Sequence, residues 1–110
     1  MIELDFNKLK GIIPAVVQDH ETNEILMLGF INEESWQKTL ETGKAWFYSR
    51  SRNKLWMKGE NSGNILMVKG IKVDCDNDSI VLKAEQIGKH TCHTGNKSCF
   101  YRDIKIAKEG

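Results

Sequence analysis

Apolar residues in this chain arrive in short runs, and each run is cut off by a polar or glycine-containing turn before it reaches helical length. "GIIPAVVQD" and "EILMLGFI" are separated by "HETN", and "ILMVKGIKV" and "SIVLKAEQI" flank the acidic stretch "DCDNDS". Runs of that size, rich in Ile, Val and Leu and bounded by turn residues, read as strands. Between them "KAWFYSR" and "NKLWMKGE" form an aromatic-rich pair joined by a polar turn at Ser51 to Asn53, which reads as a hairpin. One segment breaks the pattern. In "NEESWQKTLETG", Asn32 can cap, Glu33 and Glu34 suit the positive helix start, Trp36 and Leu40 share a face, and Gly43 can end the turn. This predicts one helix over residues 33–42. "ENSGN" marks a further turn, "GKHTCHTGNKS" a loop, and "CFYRDIKIA" a last strand. The expected fold is α+β, mostly antiparallel strands in a curled sheet, as a single domain over residues 1–110.

Charge narrows the choice of partner. Sixteen basic residues against fifteen acidic ones leave a formal charge of +1, so any basic site has to be local. The first residues contain acids and lack the apolar core of a secretory signal, and no stretch approaches the ~20 apolar residues of a membrane span. A cytoplasmic location is expected, with no membrane partner. Three cysteines, an odd number in a reducing compartment, argue against a disulfide framework. The thiols are then either packed or metal ligands.

Cys75, Cys92 and Cys99 contain no CxxC spacing. On a continuous helix Cys92 and Cys99 would stand about 10 Å apart, too far for one zinc with ~2.3 Å bonds to sulfur. They can share an ion only if the chain reverses between them, and Gly95 and Asn96 are suited to that reversal. Cys75 would have to come from elsewhere in the fold or from another subunit. Three thiolates leave one tetrahedral position open, the arrangement of a catalytic zinc. Either His90 or His93, beside Cys92, could instead close a structural site. Asp74, Asp76 and Asp78 alternate with Cys75 and Asn77, so a regular strand would present hard oxygen donors on one face and sulfur on the other. In such a strand the outer acids lie about 13 Å apart, beyond direct reach of one Mg²⁺ with ~2.1 Å bonds, so the chain must curl or water must bridge. An EF-hand reading fails because Ser79 stands where that loop needs glycine.

The stretch "KAWFYSRSRNKLWMKGENSGN" sets Lys44, Arg50, Arg52, Lys54 and Lys58 among Trp46, Phe47, Tyr48 and Trp56. Serines and arginines at a turn offer hydroxyl and bidentate guanidinium donors to phosphate oxygens. With so little net charge, one small anionic ligand fits this stretch better than a nucleic-acid polymer. A rival reading makes the hairpin 44–58 a metal-stabilised binder of single-stranded nucleic acid. A plainer one is a dimerisation module with packed thiols.

Taken in order, "FYSRSRNKLWMKGENSGN", "DCDND" and "TCHTGNKSCFYR" resemble the phosphoribosyl-AMP cyclohydrolases of histidine biosynthesis, and "VVQDHETNEILMLGFINEE" and "TLETGKAWFYSRSR" extend the resemblance over almost the whole chain. The resemblance implies a cytosolic homodimer that uses Zn²⁺ and Mg²⁺ to open the adenine ring of N1-(5-phosphoribosyl)-AMP between N1 and C6 with zinc-activated water. It assigns zinc to Cys75, Cys92 and Cys99, with the site drawing on both subunits, and magnesium to Asp74, Asp76 and Asp78. On that reading Ser49, Arg50, Ser51, Arg52, Lys54 and Lys58 are expected to bind substrate phosphate. His93 is the expected proton carrier, with His90 as the alternative. The family usually carries Thr and His where this chain has Asn61 and Asn64. Some relatives continue into a pyrophosphohydrolase domain; here the sequence ends at Gly110, and the preceding step is expected to belong to a separate protein.

Overall fold

The computed structural model describes residues 2–107. Strand β1 (Ile13–Asp19) buries every second side chain, Ile13, Ala15, Val17 and Asp19, as a half-buried strand must. Strand β2 (Ile25–Ile31) returns antiparallel to it, with Val16 opposite Leu28. Helix α1 (Glu33–Thr42) then follows at the expected bounds. Asn32 Oδ1 accepts the Ser35 N–H at 2.9 Å, and Ser35 Oγ accepts the Asn32 N–H at 2.9 Å, so two orphan donors of the first turn are satisfied reciprocally. At the other end Gly43, with φ 73°, turns its N–H onto the Thr39 carbonyl at 2.9 Å. Ser35, Trp36 and Thr39 make the buried stripe, whereas Leu40, expected on the same face as Trp36, is 38% exposed at its edge.

Strands β3 (Trp46–Ser49) and β4 (Lys54–Met57) form the expected hairpin, with Phe47 opposite Trp56. Phe47 is fully buried because β2 carries Gly29 beneath it; a Cβ there would lie 2.6 Å from the Phe47 ring. Strands β5 (Leu66–Val73) and β6 (Ile80–Gln86) pair antiparallel, and β6 also runs parallel beside β1. The order β2-β1-β6-β5 is one four-stranded sheet, and β3-β4 is a separate two-stranded one. In place of the single curled sheet expected, the strands therefore divide between two sheets, antiparallel apart from the β1–β6 pair. That parallel pair needs a long crossover, which the intervening helix and hairpins supply. Ile13, Val17, Leu26, Phe47, Leu66 and Leu82 form the fully buried centre. Each contributes about 1.5–3 kcal/mol of burial.

The last expected strand is a correction. Cys99 donates its N–H to the Leu26 carbonyl at 2.7 Å, and residues 100–107 then leave the edge of β2 without strand structure. A strand needs a ladder of such bonds, and among the described residues the bonds to β2 stop at Cys99. Among the described residues, no helix is long and apolar enough to cross a membrane.

Candidate active site

The acidic segment is the turn between β5 and β6, not a strand. Asn77, at φ 64°, reverses the chain, and one carboxylate oxygen from each of Asp74, Asp76 and Asp78 falls within 4.8 Å of the others. The curl thus brings together acids that a straight strand would separate. Asp74 is the structural pin of the turn: it accepts the Ser79 hydroxyl at 2.7 Å and the backbone N–H groups of Asp78 and Ser79 at 3.0 and 3.3 Å. Those donors, the Ser79 hydroxyl foremost, hold its carboxyl well below the usual carboxylate range. Asp78 moves the other way, pushed up first by Asp74 and then by Asp76. A divalent cation held there would relieve this crowding. In an octahedron at ~2.1 Å bond lengths neighbouring ligands lie about 3.0 Å apart and opposite ones about 4.2 Å, so the three oxygens would have to draw closer together to share one hard ion. Lys8, which sequence reading passed over, places its ammonium 3.0 Å from Asp76 and 3.3 Å from Asp78. The Asp5 N–H fixes that approach by donating to the Asn77 carbonyl at 2.7 Å.

At the far end of β6 the loop holding Cys92 and Cys99 reverses as its glycine required. Gly95, at φ 94°, donates its N–H to the Cys92 carbonyl at 3.0 Å, and the Cys92 N–H bonds to the Asn96 carbonyl at 3.1 Å. Ser98 Oγ donates to the Ile25 carbonyl at 2.6 Å, which ties the loop to β2. Cys92 is buried, and its Sγ lies 3.0 Å from the Thr94 hydroxyl. That hydroxyl and the Thr94 N–H hold the Cys92 thiol below its ordinary value, with Cys99 adding to the effect. Cys99 is displaced upward, first by burial and then by Cys92. The reversal thus brings two sulfurs within each other's influence, the donor type that a soft ion would take. Cys75 does not join them in the same chain. It precedes β6 and they follow it, and seven strand residues span about 23 Å at ~3.3 Å each. The ring of His90 is oriented by Nδ1–H donation to the Cys92 carbonyl at 2.7 Å, while His93 is exposed.

Beside the hairpin lies a cleft of about 560 Å³, and its lining includes Ser49, Ser51, Arg52, Lys54 and Lys58 with Trp56 as an aromatic wall. Five of the six residues expected to bind phosphate meet there. Arg50 departs: its guanidinium stacks over Phe30 at 4.8 Å from the ring centre, in a neighbouring depression. A wider hollow of about 680 Å³ beside α1 is lined by Glu33, Glu34 and Glu41 and would repel an anion. Lys58 connects the cleft to the thiol loop, since its positive charge favours the thiolate at both Cys92 and Cys99. Asn64 packs the "ENSGN" turn on the start of that loop by accepting the Lys89 N–H at 3.0 Å.

Residues 27–101 match the sequence pattern of the phosphoribosyl-AMP cyclohydrolases. The chain belongs to the phosphoribosyl-AMP cyclohydrolase family. It is 62% identical to the phosphoribosyl-AMP cyclohydrolase of Desulfatibacillum aliphaticivorans, over 96% of this chain and 84% of that one. Identity to the Desulforapulum autotrophicum enzyme of the same name is 59%, over 94% and 83% of the two chains. For the Geobacter sulfurreducens cyclohydrolase it is 57%, over 92% and 81%. Against this cyclohydrolase frame, two neighbours of the candidate ligands escaped sequence reading for different reasons. Lys8 is 68 positions from Asp76 and carries no local signal. Thr94 had one, a hydroxyl two residues beyond a cysteine, where the reversal brings it back onto the sulfur.

Proposed function

We propose that this chain opens the adenine ring of N1-(5-phosphoribosyl)-AMP by hydrolysis, as the cyclohydrolase of histidine biosynthesis, in the cytoplasm and as a homodimer. The observation that supports this most is the adjacency of a basic, Trp-walled cleft to the Cys92 and Cys99 thiols, in a chain of this family. In this reading Ser49, Ser51, Arg52, Lys54 and Lys58 bind phosphate oxygens, and Trp56 faces the base. Arg50 contributes from the neighbouring depression. Water adds to C6, the C6–N1 bond breaks, the former exocyclic amine becomes the carboxamide nitrogen, and N1 takes the proton. His93 carries that proton, and His90 holds the loop through the Cys92 carbonyl.

Cys75, Cys92 and Cys99 would hold zinc, and Asp74, Asp76 and Asp78 magnesium. Bound zinc supplies a Lewis acid that makes water nucleophilic near neutral pH. Two sulfurs of one chain fit that ion, and Cys75 completes the set from a second chain. Family membership favours this reading over a nucleic-acid binder, which predicts steeply salt-dependent binding to single strands. The deciding experiment is an anaerobic assay of ring opening by ultraviolet absorbance, before and after chelation and after zinc is restored. Activity lost on chelation and regained with zinc is expected; full activity in zinc-free protein would defeat the assignment.

A further inference from the structure

Asn64 stands where the basic cleft and the thiol loop adjoin. Strands β5 and β6 keep their ladder as far as the Ile87 N–H, which bonds to the Ile65 carbonyl at 2.8 Å, and one further pair in the Leu66–Gln86 register sets Asn64 opposite Gly88. There the side chain takes over from the backbone. Asn64 Oδ1 accepts the Lys89 N–H at 3.0 Å by lying across Gly88, where a Cβ would stand 2.2 Å from the same oxygen. On its other side Gly59, which lines the cleft with Glu60, Asn61 and Ser62, packs so closely that a Cβ there would lie 2.5 Å from the Asn64 carbonyl. Two glycines thus make room for one asparagine. Its backbone does not demand that residue: Asn23, Asn53 and Asn77 hold positive φ values, which asparagine tolerates, whereas Asn64 does not. The position uses the side chain.

We infer that Asn64 is a positioning residue that transmits occupancy of the basic cleft to the thiol loop. A phosphorylated nucleotide held by Arg52, Lys54 and Lys58 lies against the Gly59 to Ser62 wall of the same cleft. That wall closes through the Gly63 N–H, which bonds to the Gly59 carbonyl at 2.8 Å, and it ends at Asn64, whose side chain fixes the Lys89 backbone at the start of the loop. From there the path is short. His90, the next residue, is tied through Nδ1 to the Cys92 carbonyl at 2.7 Å, so a shift at Lys89 reaches the sulfur-bearing turn directly. Such alignment matters to rate, because a misplacement of about 1 Å between reacting groups can cost ~100-fold. Only this kinetic consequence rests on the proposed ring opening; the link itself serves any nucleotide held in the cleft.

Asn64→Ala, which deletes the acceptor, and Asn64→Asp, which keeps one, test the link in the full chain, with melting curves to verify the fold. AMP is titrated into isotope-labelled protein while the amide resonances of Lys89, His90 and Cys92 and the hydrogen exchange of Lys89 are followed. In the wild type and Asn64→Asp, AMP is expected to shift these resonances and slow Lys89 exchange. In Asn64→Ala the Lys89 amide should exchange about tenfold faster, and AMP should bind within about twofold of the wild-type affinity yet leave the loop unmoved. A loop that responds to AMP equally in the wild type and Asn64→Ala, or in neither, overturns the inference. Steady-state ring opening gives the second arm: Asn64→Ala should lower kcat about tenfold or more with KM within about twofold, and Asn64→Asp should recover most of the loss in kcat, a split that a general loss of stability does not produce. A raised KM with unchanged kcat would make Asn64 a binding residue and overturn the positioning role. A wild type whose loop follows AMP through Asn64 but which opens no ring supports the link and removes the catalytic reading.

Discussion

Asp19 holds the thiol loop to the sheet. It ends β1 on the buried side, where its Oδ1 accepts the N–H groups of Glu21 and Thr22 at 2.9 and 3.0 Å, and Lys97 of the loop sits 3.5 Å from its Oδ2. The Thr22 N–H is the largest of the influences that hold this carboxyl below its ordinary value, and burial opposes them. A depressed folded value means that the stabilisation is complete above the unfolded value of ~3.9 and drains away as pH falls below it. Asp19→Ala is therefore expected to cost about 1–3 kcal/mol at pH 7 and less at pH 3. Urea melts of both proteins at the two pH values measure the gap, and an equal gap at both would refute the role of the charge. Lys8 carries the second residue-scale expectation. Its ammonium sits among the acids where a divalent cation would be attracted, so Lys8→Ala should bind Mn²⁺ or Mg²⁺ several-fold more tightly by titration calorimetry. Weaker binding would show that Lys8 organises the turn instead of competing. The candidate ligands could be read from residue type alone, since sulfur and carboxylate advertise their chemistry. Lys8 and Asp19 could not, because what they do depends on partners set by tertiary packing.

Elements were legible in proportion to how local their signals are. Both ends of α1 follow from caps within four residues, Asn32 with Ser35 and Gly43 with Thr39, and the hairpin turn at Ser51 to Asn53 is equally local. The final strand was misread because alternation says only that a segment can pair; the edge of β2 is open to it, yet among the described residues the ladder stops at Cys99. Arg50 stands in the neighbouring depression for a related reason: "SRSR" treats four neighbours as one patch, but successive side chains near the end of a strand point to opposite faces. Gly29 shows the reverse dependence, of an element on its neighbour. Gly29→Ala should force the Phe47 ring aside and cost about 1–3 kcal/mol, seen as a lower melting temperature. Phe47 and Trp56 rings lie 5.0 Å apart, so the same change should disturb the cleft wall. Arg52→Ala leaves that packing alone. It should raise KM for the nucleotide about tenfold, the loss of one charge-assisted hydrogen bond of ~1.5 kcal/mol, with a smaller effect on kcat. An unchanged KM would exclude Arg52 from phosphate recognition.

At the scale of the molecule, the sheet separates the chemistry it carries. Hard oxygen donors, with Cys75 among them, stand at the β5–β6 turn, and Cys92 and Cys99 lie beyond the other end of β6, so the three sulfurs are divided between opposite ends of one strand. In the twofold dimer proposed above, Cys75 beside the acids of each chain would meet Cys92 and Cys99 of the other, so the arrangement would occur twice. This makes a prediction that neither variant alone can satisfy. Cys75→Ser and Cys99→Ser should each abolish ring opening and tight zinc binding as pure proteins. When the two are mixed, unfolded and refolded together, half of the dimers are mixed, and in each of these one of two sites recovers its three sulfurs. About one quarter of wild-type activity and zinc content should return, by the symmetry of the pairing. Zinc content is read independently of turnover by metal analysis after gel filtration. Recovery near zero, with mixed dimers demonstrated by differently tagged chains, would mean that the three sulfurs never meet around one ion, and the second chain would lose its place in the site.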